Sequence, residues 1–154
     1  VITGVAAAAR VVSPAVACAL WLILAPSAVP AADEKRQPEL VVLARLSHRG
    51  DAIPDCGILH LAVVMKYQIT KVLSGAHEES TLYVVHGCPA LPRKDYAAEA
   101  GDVVRFQVGD VHRLSLTTRG PFLNGEAIDA FSSERGRRYW ALRTDTVPAE
   151  KAPR

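Results

Sequence analysis

Residues Cys56 to Cys88 read CGILHLAVVMKYQITKVLSGAHEESTLYVVHGC, and the alternation inside this stretch decides the fold. Leu61, Val63, Met65, Tyr67 and Ile69 fall on one face, while Lys66, Gln68 and Thr70 fall on the other, the period of a half-buried strand. After the polar link Ser74 to Ser80, Leu82 and Val84 share one face and Tyr83 and Val85 the other. The pattern predicts a β-hairpin with a cysteine at each open end. Ile69 and Val72 are both apolar yet differ in parity, so a β-bulge or sharp bend is expected near Lys71.

Outward from the hairpin, Leu40 to Leu46 is a strand candidate, apolar on both faces for most of its length. Ser47 to Pro54 carries the breakers Gly50 and Pro54 and reads as a loop. Pro89 to Gly101 reads as a loop with one helical turn. A second hairpin is expected from Asp102 to Thr117, turning at Gly109-Asp110. Its inward residues would be Val104, Phe106 and Val108, then His112, Leu114 and Leu116. A short helix is expected at Ile128 to Ser132, packing Ile128 and Phe131, before a last strand from Tyr139 to Thr144 with Trp140 and Leu142 inward. Six strands, mostly in hairpins, with one late helix predict an all-β fold, a small OB-like Greek-key barrel of five or six strands. An immunoglobulin-like sandwich fits less well, because neither tryptophan lies between the cysteines.

The first part of the chain has a different character. Arg10 precedes the apolar run Val11 to Leu24, followed by Ala25-Pro26-Ser27-Ala28-Val29-Pro30-Ala31-Ala32 and then Asp33-Glu34-Lys35-Arg36. A positive start, an apolar core and small residues before a charged segment describe a secretory signal peptide. The expected organisation is a signal peptide at 1–31, an exposed lead-in at 32–39, the barrel domain at 40–145 and a polar tail at 146–154. The alternative for the N-terminal segment is a retained membrane anchor, which Pro14, Pro26 and Pro30 oppose. A secreted or periplasmic location follows, with membrane attachment only if the segment stays uncleaved.

Export changes the cysteine arithmetic. Cys18 leaves with the signal, and Cys56 and Cys88 remain in a compartment where disulfides persist. Setting Arg10 aside leaves 17 Lys and Arg against 16 Asp and Glu. That near-neutral balance gives no support for nucleic acid as a partner.

A resemblance adds to this. Tyr67-Gln68-Ile69-Thr70-Lys71-Val72-Leu73-Ser74-Gly75, then His86-Gly87-Cys88, Gly101-Asp102 and Gly109-Asp110-Val111-His112-Arg113-Leu114 resemble small secreted bacterial proteins. Those are distantly similar to the OB-fold, netrin-like module of tissue inhibitors of metalloproteinases. The resemblance covers residues 38 to 117 and implies an OB-type barrel. The inhibitors engage the protease metal through an N-terminal cysteine, and residues 32 to 40 contain none, so inhibition is not carried over.

Few residues carry chemistry. Cys56 and Cys88 are expected to form a disulfide that closes a loop of about 30 residues and stabilises by ~2–4 kcal/mol. The alternative is a zinc or copper site made by Cys56, His60, His86 and Cys88, since two thiolates and two imidazoles suit a tetrahedral ion. His77 sits beside Glu78-Glu79 and is expected in solvent, and His112 is expected as a hydrogen-bonded core histidine. His48, Asp51 and Asp55 form a weaker acid–base grouping, of a hydrolase kind, that turn chemistry explains equally well. Nucleophile-elbow, phosphate-loop and metalloprotease motifs are absent from the sequence. Arg135, Arg137 and Arg138 beside Tyr139 and Trp140 form a candidate binding surface, because arginine and aromatics are enriched at binding sites. The leading expectation is a non-enzymatic exported binding module, without cofactor, whose partner is an envelope or extracellular protein.

Overall fold

The computed structural model describes residues 37–50, 53–57, 61–120 and 127–148. The expected signal peptide, Asp51 and His60 lie outside the described residues, as does most of the expected polar tail.

The strands in chain order are β1 (Leu40–His48), β2 (Ala62–Ser74), β3 (Thr81–Gly87), β4 (Val111–Thr117), β5 (Ala127–Ile128) and β6 (Arg138–Thr146). A single helical turn, α1 (Arg93–Tyr96), lies between β3 and β4, where the sequence reading allowed one. The sheet order is β1-β4-β6-β3-β2, and β2 pairs with β1 to close a five-stranded barrel. The β3–β6 junction is parallel and the other barrel junctions are antiparallel. β5 adds a short parallel pairing to β2 through Ala62 and Val63. Five strands closed in this order make the small all-β, OB-like barrel expected from the sequence.

β2 explains how so short a chain closes. Its 13 residues would run about 43 Å if straight, at ~3.3 Å per residue. Instead its first half (Ala62 to Gln68) pairs with β3 and its second half (Lys66 to Ser74) with β1. The register slips where Leu43 opposes Lys71 but Ala44 opposes Ile69, which leaves Thr70 as the extra residue. That is the irregularity expected near Lys71. The Thr70 hydroxyl donates to the Leu43 carbonyl at 2.9 Å and fastens the bulge.

Alternation sorts the apolar side chains into two clusters. Leu40, Val42, Ala44, Leu46, Met65, Tyr67, Leu82, Val84, Leu114 and Leu116 fill the barrel interior with Val103, Phe106 and Tyr139. On the outer side of β2 and β3, Ala62, Val64, Tyr83 and Val85 pack under Phe131, Ala127 and Trp140.

Three local expectations are corrected. Residues 102–108 form no strand: Val103 and Phe106 are buried, while Val104 and Val108 are 67% and 59% exposed. The segment leaves Gly101, held at φ +111° against the Thr144 backbone, and crosses the barrel end rather than running along it. Its polar groups are met singly, with Arg93 N donating to Val103 O and Gly109 N to Leu46 O, each at 2.8 Å.

The late helix at 128–132 is replaced by β5 and a turn. Asp129 Oδ1 accepts the Phe131 N–H at 2.8 Å, an Asx-type turn that competes with helix. Phe131 is buried as expected, but Ile128 is exposed.

In β6 the face is the opposite of the one expected. Tyr139 and Ala141 pack on the barrel core, and Trp140 joins the outer cluster. Opposite Ser115 and Leu116 the register jumps from Arg143 to Ala141, so Leu142 is an extra residue and the parity changes there.

Candidate functional site

The connection from β1 to β2 and the one from β5 to β6 meet over the outer side of β2 and β3. A cleft of about 700 Å³ opens there, lined by Ser47, His48, Arg49, Gly50, Val108, Ala130, Phe131 and Glu134. His48 turns the edge of its ring to Phe131, with centroids 6.3 Å apart.

The cleft wall is held by a polar network on β2, β3 and the β5–β6 connection. Glu134 Oε2 accepts from Lys66 Nζ at 2.6 Å and from the Tyr83 hydroxyl at 2.7 Å. These bonds, that from Lys66 foremost, hold the Glu134 carboxyl below its usual range, so it is an anion rather than a proton carrier. The same contact raises Lys66. Burial, and then the bond to Glu134, raises the Tyr83 phenol.

Arg138 lies over the Tyr83 ring with its guanidinium carbon 4.5 Å from the centroid. It donates to Asp129 Oδ2 at 3.0 Å and to the carbonyls of Phe131, Glu134 and Gly136. One side chain thus ties together the turn that carries Phe131 and Glu134.

A second polar cluster lies inside the barrel. Tyr67 and His86 share a hydrogen bond at 3.0 Å between the hydroxyl and Nε2. Phe106 packs between His86 and His112, with centroids at 4.6 and 5.6 Å. Burial pushes His86 well below the ordinary imidazole value, with Arg93 and His112 adding to the effect. It lowers His112 too, against the opposing charges of Asp110 and Asp102.

Both ring nitrogens of His112, Nδ1 and Nε2, and His86 Nδ1 are buried without a hydrogen-bond partner among the described residues. The expected core histidine at 112 is therefore in the core but not hydrogen-bonded. Arg93 is buried beside them and donates to the carbonyls of Gly87, Cys88 and Leu91. Its guanidinium also lies over the Tyr96 and Phe106 rings.

Cys56 and Cys88 are joined as a disulfide with their Cα atoms 5.5 Å apart. The bond ties the β1–β2 connection to the end of β3. A sulfur pair in this state offers no thiolate to zinc or copper, and His86 is turned to Tyr67 in the interior. Among the described residues no three His, Cys, Asp or Glu side chains gather as a metal-binding group. The alternative ligand set of Cys56, His60, His86 and Cys88 therefore has no free thiolate in this oxidised form, and His60 lies outside the described residues.

The other candidate residues are separated by the fold. Asp55 is exposed and shares no hydrogen bond with His48, which packs on Phe131 instead. Of the arginine–aromatic surface, Arg135 and Arg137 are exposed, but Arg138 is committed to its four acceptors and Tyr139 is buried. That surface is not continuous, because successive strand residues point to opposite sides.

His77, expected in solvent, is half-buried, and its Nδ1 lies 3.4 Å from the Tyr139 hydroxyl. Sequence reasoning missed Lys66, Tyr83 and Glu134 as a unit. The one usable signal was Lys66 itself, a lone charge in the run Ala62 to Tyr67.

Comparison of the chain with protein-family models, with curated proteins and with solved structures finds no match in any of the three.

Proposed function

We propose that the protein is an exported, non-enzymatic binding module that takes another envelope or extracellular protein at the cleft between the β1–β2 and β5–β6 connections. The observation that carries this reading is the cleft itself, a concave site of about 700 Å³ on a rigid, closed barrel. Closure matters because a barrel offers no long strand edge for a partner to extend. Recognition is left to side chains on the loops, where binding residues concentrate.

The non-enzymatic part rests on the charged groups around the cleft. Glu134 is bound to Lys66 and Tyr83 and kept anionic, a poor state for shuttling protons near neutral pH. Export is supported by the signal-like segment at 1–31 and by the disulfide, which persists in oxidising compartments. The closed five-stranded barrel fits the OB-type fold that the netrin-like resemblance implies, and the netrin-like kinship itself is part of the proposal.

The test is site-specific photo-crosslinking in an exporting host. A photoreactive residue replaces Val108 in the cleft or, as control, Lys71 toward the other end of β2. The expected result is one discrete crosslinked protein from position 108 and none from 71, on a mature chain whose mass starts near Ala32. Equal products from both positions, or none from 108, would overturn the reading. So would a turnover activity lost on Arg49→Ala.

A further inference from the structure

OB barrels commonly bind oligonucleotides and oligosaccharides on the outer face of their second and third strands, using exposed rings as stacking platforms. Here that face is covered by the chain itself. Phe131 and Trp140 pack on Tyr83, Val64 and Val85, which leaves Tyr83 4% and Phe131 9% exposed. Trp140 lies against Gly120, where an added Cβ would strike the indole. Tyr83 and Phe131 have no open face for a base or a sugar, and Trp140 is half-buried against Gly120. What remains accessible is the cleft at the margin of the covered face, with Val108 and Ala130 as its open apolar surface.

Its charges are unevenly matched. Lys66 is paired with Glu134 and Arg138 with Asp129. Arg49, which lines the cleft, is exposed and forms no ion pair among the described residues. Arg135, next to the cleft-lining Glu134, and Arg137 are likewise exposed and form no ion pair among the described residues. Glu79 approaches Gly136 and bounds this positive rim on one side.

We infer that the cleft takes an extended acidic segment of a partner protein, with acidic side chains against Arg49 and Arg135 and small apolar ones against Val108 and Ala130. This rests on the proposed binding function and deepens it by naming the partner's chemistry. A guanidinium is suited to a carboxylate through paired hydrogen bonds. Two apolar side chains beside it give an alternating acidic–apolar strand its register.

The test uses the full mature chain and fluorescent ten-residue peptides that alternate Glu–Val, Lys–Val or Glu–Ser. Single-stranded DNA and polyglucuronate serve as further probes. The Glu–Val peptide is expected to bind at least tenfold more tightly than the other two, and at least threefold more weakly at 300 than at 50 mM salt. Arg49→Glu, an exposed change, should weaken it at least tenfold, and Arg135→Glu should lower it further, with circular dichroism and the disulfide mass unchanged.

Preference for the Lys–Val peptide, equal binding of Glu–Ser, or tighter binding of DNA or polyglucuronate would each overturn the inference. Crosslinking of a discrete partner at position 108 that Arg49→Glu leaves unchanged would also overturn it while leaving the binding function standing. Absence of any crosslink at 108 removes the binding function itself.

Discussion

The Tyr67 hydroxyl and His86 Nε2 meet at 3.0 Å inside a barrel where both side chains are fully buried. Among the described residues neither has another hydrogen-bond partner, so each depends on the other. Tyr67→Phe keeps the ring and removes the hydroxyl, which orphans His86 Nε2 as well as Nδ1. An unmet buried polar group costs ~1–3 kcal/mol. Urea unfolding of Tyr67→Phe is expected to show a loss in that range with an unchanged m-value. A loss under about 0.5 kcal/mol would mean that the bond adds nothing beyond packing.

The two interior histidines set the acid limit of stability. Burial depresses the folded-state values of His86 and His112, so both are neutral in the fold. In the unfolded chain each takes a proton near pH 6.5. Their contribution is complete above that pH and is lost as the pH falls toward the depressed folded values. Below 6.5 the unfolded state binds up to two more protons, a slope approaching ~2.7 kcal/mol per pH unit. Carboxylates add little between pH 6.5 and 5. Unfolding free energies measured from pH 8 to 5 are expected to be flat and then fall, and His112→Phe should about halve the slope. A flat profile down to pH 5 would contradict the neutral assignment.

The barrel was legible in the sequence where one rule governs a strand. Alternation put Met65 and Tyr67 on the apolar face and Leu114 and Leu116 inward, it grouped Leu82 with Val84, and the parity slip near Lys71 marked the bulge that closes the barrel. It failed where a local hydrogen bond or an irregular crossing intervened. Asp129 captures the Phe131 N–H and cancels the helix. The segment after Gly101 has apolar residues at strand spacing, yet it spans the barrel end and buries only Val103 and Phe106. The cleft was hidden for another reason: Lys66, Tyr83 and Glu134 come from three distant stretches, and no spacing rule relates them.

The disulfide restrains more than the unfolded chain. Cys56 lies in the β1–β2 connection that also supplies Arg49 and Gly50 to the cleft, and Cys88 lies in the turn clamped by Arg93. Closing a loop with a sequence separation of 32 is worth ~2–4 kcal/mol. The Cys56→Ser, Cys88→Ser double variant is expected to lose that amount by urea unfolding. Unreduced wild-type protein should show no reactive thiol at these positions and a mass lower by two hydrogens. Titratable thiols with one bound zinc or copper would favour the metal reading of these two cysteines.

Arg138 decides whether the cleft keeps its shape. Its guanidinium reaches Asp129 and the carbonyls of Phe131, Glu134 and Gly136 while lying over Tyr83. Lysine keeps the charge but lacks the planar fork, so it reaches one or two of these acceptors at a time. Arg138→Lys is expected to cost ~1.5–3 kcal/mol, the range for hydrogen bonds to a charged group. The effect should be local as well as global. The amides of 129–137 should exchange with solvent at least tenfold faster, while Met65 and Leu82, deep in the barrel, change only as far as overall stability changes. Uniform acceleration across the barrel would show that Arg138 supports the fold as a whole. An unchanged turn would show that Asp129 and the outer apolar cluster hold the cleft wall without it.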